Sequence, residues 1–153
     1  MGGRHRRETR IGTRKAMNQV GHTLDTSFVI RLLTRDPLPL FQRATAFLRQ
    51  WEEGETRFLV PDLVLAETYF ALQHHYSFSK EDALATLLAF SRYAAISVSS
   101  YAGKTLALPQ LATAKPGFVD RLIHGASETA GTLLVTFEKS ARHLPNTLVL
   151  QPE

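Results

Sequence analysis

The stretch His22–Asp36, HTLDTSFVIRLLTRD, places an aspartate between a segment with strand character and a segment with helix character. Residues 23–28 predict a short strand, and residues 27–36 carry apolar side chains at helical spacing. A carboxylate in such surroundings is costly unless another group pairs with it. Asp25 is therefore either the N-cap of the helix or part of a site that needs negative charge.

Short strands and helices alternate along the rest of the chain. Further strands are predicted at residues 57–61, 95–99, 132–137 and 147–151, and helices at residues 40–55, 63–76, 79–94, 101–114 and 118–131. This order predicts an α/β fold, with a central, mostly parallel sheet of about five short strands covered by helices on both faces. Ligands bind such sheets at the carboxyl ends of the strands, and Asp25 lies at one of these ends.

Several residues predict where helices begin and end. Pro37 and Pro39 are expected to break the first helix. Asp62 is expected to cap the helix that follows it. Ser79, with Asp82 three residues later, nearly matches a capping box.

The composition limits the class of protein. A chain of 153 residues with 44% hydrophobic and 21% charged residues fits one soluble globular domain. No apolar run approaches the roughly 18 residues of a membrane span, so a cytoplasmic protein without membrane contact is expected. The chain has no cysteine, and any metal must therefore be held by oxygen or imidazole ligands.

The first 21 residues differ from the rest in charge. They contain six Lys or Arg residues and one Glu, a net charge of +5, whereas the remainder carries 12 basic and 13 acidic residues, a net charge of −1. Residues 1–21 are therefore assigned to a basic, disordered N-terminal extension, and residues 22–153 to the folded domain. The extension is either an arm that contacts nucleic acid or an appendage without a role.

Four acidic residues stand in apolar company near strand ends or on helix faces: Asp25, Glu67, Asp120 and Glu138. The predicted topology brings them toward one edge of the sheet, where four carboxylates without basic partners would repel one another. A hard divalent cation such as Mg²⁺ or Mn²⁺ relieves that repulsion. Each acid also has an ordinary interpretation: Asp25 as a helix cap, Glu67 as a helical surface residue, Asp120 as the partner of Arg121 or His124, and Glu138 as the start of a helical turn.

Four segments of the sequence resemble the successive blocks of PIN-domain ribonucleases, especially the VapC-type toxins of toxin–antitoxin pairs. They are LDTSFVIRLLTRDP (24–37), FLVPDLVLAETYFAL (58–72), GFVDRLIHGASETAG (117–131) and LLVTFEKSARHLPNTLVL (133–150), so the resemblance covers roughly residues 22–150. It implies a PIN-like α/β/α sandwich and a Mg²⁺- or Mn²⁺-dependent endoribonuclease. It also implies RNA as the substrate, an antitoxin protein as a partner, and a homodimer.

The resemblance also assigns site residues. The acidic metal-binding positions of the family fall on Asp25, Glu67, Asp120 and, as the fourth acid, Glu138, with the hydroxyls of Thr26 and Thr136 in supporting positions. Three positions differ from the family pattern. Glu138 stands where aspartate is usual, Gly117 where an acid is frequent, and His124 where a small residue is usual. On a helix, His124 shares a face with Asp120, four residues earlier.

Two other functions are compatible with the same residues. One is a catalytically weak PIN module that binds RNA or a partner protein, for which Glu138 and Gly117 would mark lost metal affinity. The other is a housekeeping RNA-processing nuclease on the same fold. Metal-dependent cleavage of RNA separates an enzyme from a binding module, and a neighbouring antitoxin gene separates a toxin from a housekeeping enzyme.

Overall fold

The computed structural model of the protein describes residues 20–54 and 56–152. The strands are β1 (Val20–Thr23), β2 (Arg57–Leu59), β3 (Ile96–Ser97), β4 (Leu134–Thr136) and β5 (Thr147–Val149). The helices are α1 (Thr26–Thr34), α2 (Leu38–Glu52), α3 (Asp62–His75), α4 (Lys80–Ser91), α5 (Ser100–Leu106) and α6 (Phe118–Thr129), with short 3₁₀ turns at Leu111–Thr113 and Lys139–His143. The predicted extension lies outside the described residues, apart from Val20 and Gly21, which belong to β1.

The five strands form two parallel sheets. One sheet has the order β1-β2-β3, and the other consists of β4 and β5. The α/β class and the parallel pairing are confirmed, and the five expected strands are divided between a sheet of three and a sheet of two. Each parallel pair is joined by a connection that contains a helix or a 3₁₀ turn, as parallel pairing requires a crossover.

The middle strand of the larger sheet is its most buried part. Phe58 lies in β2 and Val60 directly follows the end of that strand. Both side chains are fully buried, as expected for a parallel strand covered on both faces. By contrast, β1 lies at an edge, and its residues Val20 and Thr23 are exposed. The backbone N–H of Leu24 donates to the carbonyl of Leu59 at 2.9 Å, so pairing with β2 continues to the residue before Asp25.

The helices pack in sequence around this sheet. α1 packs on α2 and α3, and each of the later pairs α3–α4, α4–α5 and α5–α6 is also in contact. The fully buried side chains at the centre include Val29, Leu65, Leu72 and Leu87. Each buried aliphatic side chain of this size stabilises the fold by about 1.5–3 kcal/mol relative to exposure, before the entropy of ordering is subtracted.

An aromatic cluster fixes β1 against α2. The imidazole of His22 lies 4.7 Å from the indole of Trp51, 5.4 Å from the ring of Phe47 and 5.5 Å from that of Phe58, measured between ring centroids. Phe47 and Trp51 lie one turn apart on α2, and both are partly buried against the core. The cluster holds the strand that leads to Asp25.

The helix starts agree with the sequence in part. Asp25 caps α1, so the chain leaves the strand at Thr23 and not at residue 28 as predicted. The prediction for Ser79 is confirmed, because its hydroxyl accepts a hydrogen bond from the backbone of Asp82 at 3.0 Å. The prediction for Asp62 was wrong: Pro61 occupies the N-cap position of α3, and the Asp62 side chain makes other contacts.

The second proline of the pair after α1 is not a helix breaker. Pro37 is the N-cap residue of α2, and Pro39 lies within its first turn. The first turn tolerates proline because its backbone N–H groups have no partners within the helix. The break between α1 and α2 is therefore confined to residues 35–37.

The small sheet presents an apolar face to solvent. Leu133, Val135 and Phe137 alternate along β4 and its ends, and Leu148 and Leu150 do the same along β5; all five are 40–70% exposed. The register places Val135 beside Leu148, so these side chains form one continuous patch, hereafter the β4–β5 face. None of the helices in residues 20–54 and 56–152 combines the length and the apolar character needed to cross a membrane.

Candidate active site

Asp25 begins the candidate site at the carboxyl end of β1. Its Oδ1 atom accepts hydrogen bonds from the hydroxyl of Ser27 at 2.7 Å and from the backbone N–H of Phe28 at 3.0 Å. These bonds, that of Ser27 first, lower the pKa of the Asp25 carboxyl, so it is ionised at neutral pH. The second oxygen, Oδ2, makes no hydrogen bond with the described residues and remains available to a ligand.

The neighbouring threonine connects Asp25 to the second acid. The Thr26 hydroxyl donates to Oε1 of Glu67 at 3.2 Å, across 41 residues of sequence. This bond directs Glu67, on the exposed side of α3, toward the start of α1. The structure therefore brings two of the four predicted acids to the same strand end, and Thr26 supports the second of them, Glu67.

Asp120 lies in the first turn of α6 and is exposed. Arg121 and His124, the partners that the ordinary interpretation gave it, bind other groups. The Arg121 Nε donates to the carbonyl of Pro116 at 2.8 Å, and the His124 Nε2 lies 2.8 Å from the carbonyl of Pro145. His124 is 8% exposed and also lies 3.4 Å from Glu128, so it is a structural residue that joins α6 to the loop before β5.

Glu138 lies two residues after the end of β4, with Phe137 between them. Its Oε1 accepts hydrogen bonds from the backbone N–H of Ser140 at 3.1 Å and from the hydroxyl of the same residue at 2.8 Å. The backbone N–H of Glu138 donates to the Thr136 hydroxyl at 3.0 Å, so Thr136 fixes the backbone that carries the acid. The bonds from Ser140, with a smaller contribution from the charge of Lys115, lower the pKa of the Glu138 carboxyl.

Two serines at the site were missed in the sequence, although a signal was present. Ser27 and Ser140 each lie two residues after a candidate acid, in the segments DTS and EKS, and each donates its hydroxyl to that acid. A hydroxyl at this spacing forms a local turn with a carboxylate. The repeat of the pattern after Asp25 and Glu138 was the sequence feature that could have identified both.

The four acids share one electrostatic property. In the part of the chain that the structure describes, the only ion pair is the one between His124 and Glu128, so none of the four has a Lys or Arg within 4.0 Å. In the metal-free protein, no three His, Asp or Glu side chains among those residues lie together as a ready-made metal site. The donor chemistry nevertheless fits a hard divalent cation, because every candidate offers carboxylate oxygens and Asp25 has a free Oδ2.

A groove of about 730 Å³ borders Asp25 on the side of α2. Asp25 and Ser27 line one part of it, and the basic side chains of Arg31 and Arg43 line another. The Arg31 Nη1 donates to the Tyr76 hydroxyl at 3.0 Å and to the carbonyl of Asp36 at 3.3 Å, which fixes its position. A groove that combines an ionised acid with two guanidinium groups suits a polyanion.

Comparison with known protein families adds one finding. The family model described as PIN domain matches residues 23–146, which is most of the chain. The comparisons with curated proteins and with solved structures gave no significant match. The matched region begins just before Asp25 and extends past Glu138, so it contains all four candidate acids.

Proposed function

Because the chain belongs to the PIN-domain family, whose members have a nuclease fold and generally act as metal-dependent nucleases, we propose that it is an endoribonuclease in which Asp25, Glu67 and Asp120 hold Mg²⁺ or Mn²⁺. The observation that carries this proposal is the hydrogen bond from Thr26 to Glu67, which brings Glu67 to the strand end occupied by Asp25. Neither acid has a basic partner among the described residues. Two carboxylates close together need a cation to offset their repulsion.

The residues of the chain prepare the site in three ways. Ser27 and the first turn of α1 keep Asp25 ionised and fix its orientation, leaving Oδ2 free. Thr26 orients Glu67. Oε1 of Glu138 already accepts a hydrogen bond from the Ser140 hydroxyl, which supports a role through a bound water rather than a direct bond to the metal. A bound divalent cation supplies an activated water and stabilises the negative charge that develops on the phosphate.

The groove beside Asp25 is the proposed path of the RNA backbone. Arg43 is exposed on α2 and its guanidinium is free of hydrogen bonds to the described residues, so it can contact a phosphate. Arg31 lies in the same groove but is bonded to Tyr76, and it contributes a fixed positive charge. Since water is the attacking group in this chemistry, the 2′-hydroxyl of RNA is not required for cleavage.

Divalent-metal dependence tests this function. The purified protein is expected to cut a mixed RNA pool in the presence of Mn²⁺ or Mg²⁺, and to stop when EDTA is added. The products are expected to carry 5′-phosphate ends, which end-labelling with and without phosphatase treatment detects. RNA binding without cleavage at any divalent-metal concentration would favour the alternative, a PIN module that binds RNA without cutting it.

The biological role that we propose is that of the toxin in a toxin–antitoxin pair, acting in the cytoplasm as a homodimer held by its antitoxin. The resemblance to VapC-type toxins supports this role, and the β4–β5 face supports the dimer. Its five apolar side chains carry no charge, so two copies related by a twofold axis would bring no like charges together.

Oligomeric state tests the dimer. Light scattering at micromolar concentration is expected to give twice the mass of one chain for the wild type, and the mass of one chain for Val135→Glu. Tyr93→Glu is a matched control, since Tyr93 is 66% exposed but lies outside the β4–β5 face. A wild-type monomer, or a Val135→Glu dimer, contradicts the proposed interface. Failure of any small protein from the same operon to co-purify counts against the toxin role.

A further inference from the structure

Asp62 makes two contacts that the candidate site does not use. Its Oδ1 accepts a hydrogen bond from the Ser99 hydroxyl at 2.8 Å, and its Oδ2 accepts one from the Tyr101 hydroxyl. Ser99 is in turn the N-cap of α5, where its Oγ accepts from the backbone N–H of Ala102 at 3.2 Å. The first residue of α3 is thus joined to the first turn of α5 by a carboxylate with both oxygens satisfied.

The ring of Tyr101 makes a second connection, to α6. Gly125 is buried on α6, and a Cβ atom added there would lie 2.4 Å from Cδ2 and 2.8 Å from Cβ of Tyr101. Real Cβ atoms do not approach other atoms this closely, so only glycine lets the Tyr101 ring and the α6 backbone come together. Tyr101 therefore contacts α3 through its hydroxyl and α6 through its ring.

These two helices carry two of the candidate acids. Asp62 lies five residues before Glu67 on α3, and Gly125 lies five residues after Asp120 on α6. A helix is rigid over so short a distance, since five residues span about 7.5 Å of its axis. A residue that holds Asp62 in place relative to Gly125 also holds α3 in place relative to α6. It therefore sets the relative positions of Glu67 and Asp120, which lie on these two helices.

We propose that Tyr101 is a positioning residue that sets the distance between Glu67 and Asp120, through its hydroxyl bond to Asp62 and its ring contact with Gly125. This inference rests on the proposed function for its catalytic consequence, but the placement of the two helices is a property of the metal-free protein. Tyr101 does not touch the substrate or the metal. It acts by holding α3 and α6 in the arrangement from which the two acids can bind one ion.

The test compares three purified variants of the full chain with the wild type. Tyr101→Phe removes only the hydroxyl, and Gly125→Ala displaces the ring. Tyr69→Phe is the matched control: Tyr69 is a buried tyrosine on α3 whose ring packs 5.2 Å from Phe118 of α6, and its hydroxyl makes no hydrogen bond with the described residues. Amide NMR spectra of the metal-free proteins report the helix positions, and calorimetry with Mn²⁺ reports the binding of the ion.

In Tyr101→Phe and Gly125→Ala, we expect the amide signals of Glu67 and Asp120 to shift and the Mn²⁺ affinity to fall by about tenfold, as for other outer contacts of metal ligands. The double variant should lose little more than either single variant, because both changes act on Tyr101. Tyr69→Phe should match the wild type in both measurements. Shifts confined to Asp62, Ser99 and Tyr101, or an unchanged Mn²⁺ affinity beside a wild type that binds, overturn the proposal.

The same experiment separates this proposal from the proposed function. If the wild type binds no Mn²⁺ while the amide signals of Glu67 and Asp120 move in Tyr101→Phe, the positioning role of Tyr101 holds and the metal site fails. If the wild type binds Mn²⁺ and those signals stay in place, the metal site holds and the positioning role fails. Should Gly125→Ala not fold, Tyr101→Phe alone decides, because it removes one oxygen and leaves the ring in place.

Discussion

Asp25→Asn is expected to lower the rate of metal-dependent RNA cleavage by about a thousandfold or more. The loss of a metal ligand removes several kcal/mol of stabilisation from the transition state, and each 1.4 kcal/mol is a factor of about ten. The fold should survive, because the amide oxygen of asparagine can still accept from Ser27 and Phe28, and asparagine caps helices about as well as aspartate. The free energy of unfolding without metal should therefore change by less than about 1 kcal/mol.

A second cap provides the control for this prediction. Ser79→Ala removes the cap of α4 without touching a candidate acid, so it should cost about 1 kcal/mol of stability and leave cleavage unchanged. The cleavage rate of Glu138→Ala should lie between the rates of Ser79→Ala and Asp25→Asn, with a clearly smaller loss than in Asp25→Asn. Denaturant unfolding and initial cleavage rates, measured on the same preparations, give both quantities. Full cleavage by Asp25→Asn would remove Asp25 from the site.

Glu67→Gln is expected to lower cleavage by about a hundredfold or more at saturating RNA. Glutamine can still accept the hydrogen bond from Thr26, so the substitution removes the negative charge and keeps the position of the side chain. Thr26→Val makes the complementary change: the charge remains but the hydrogen bond is lost, and a smaller effect of about tenfold is expected. The Mn²⁺ concentration for half-maximal activity should rise in both.

Glu81→Gln is the matched control for the loss of charge, because Glu81 is an exposed glutamate in the first turn of another helix, α4. It should keep wild-type rates at every Mn²⁺ concentration. If Glu67→Gln retains more than a third of the wild-type rate, Glu67 is an ordinary surface residue, and the hydrogen bond to Thr26 has only a structural role.

The parts of the fold that were predicted correctly rest on local physics. Ser79 caps α4 through Asp82, which is only three residues away, so this contact could be anticipated from the sequence. Asp62 shows where local reasoning fails. Its partners Ser99 and Tyr101 are 37 and 39 residues away, so only the structure reveals these side-chain contacts.

The candidate site likewise has features that the sequence reveals and contacts that only the structure reveals. The four acids could be selected from the sequence because each stands in apolar company near a strand end or on a helix face. The contact between Thr26 and Glu67, across 41 residues, required the structure. So did the buried position of His124, whose hydrogen-bond partner Pro145 is 21 residues away in the loop before β5. That Asp120 and Glu138 act together with Asp25 stays a prediction.

The division of the strands into two sheets has a consequence for how the chain folds. Leu134 pairs with Thr147, a separation of 13 residues, whereas Thr23 pairs with Leu59, a separation of 36 residues. The entropy lost in closing a loop grows with the logarithm of its length, so the shorter loop costs about 1 kcal/mol less to close. Folding rates also fall as contacting residues lie farther apart in the sequence. We therefore expect the carboxyl-terminal strands to pair early, and the strand that leads to Asp25 to join β2 later.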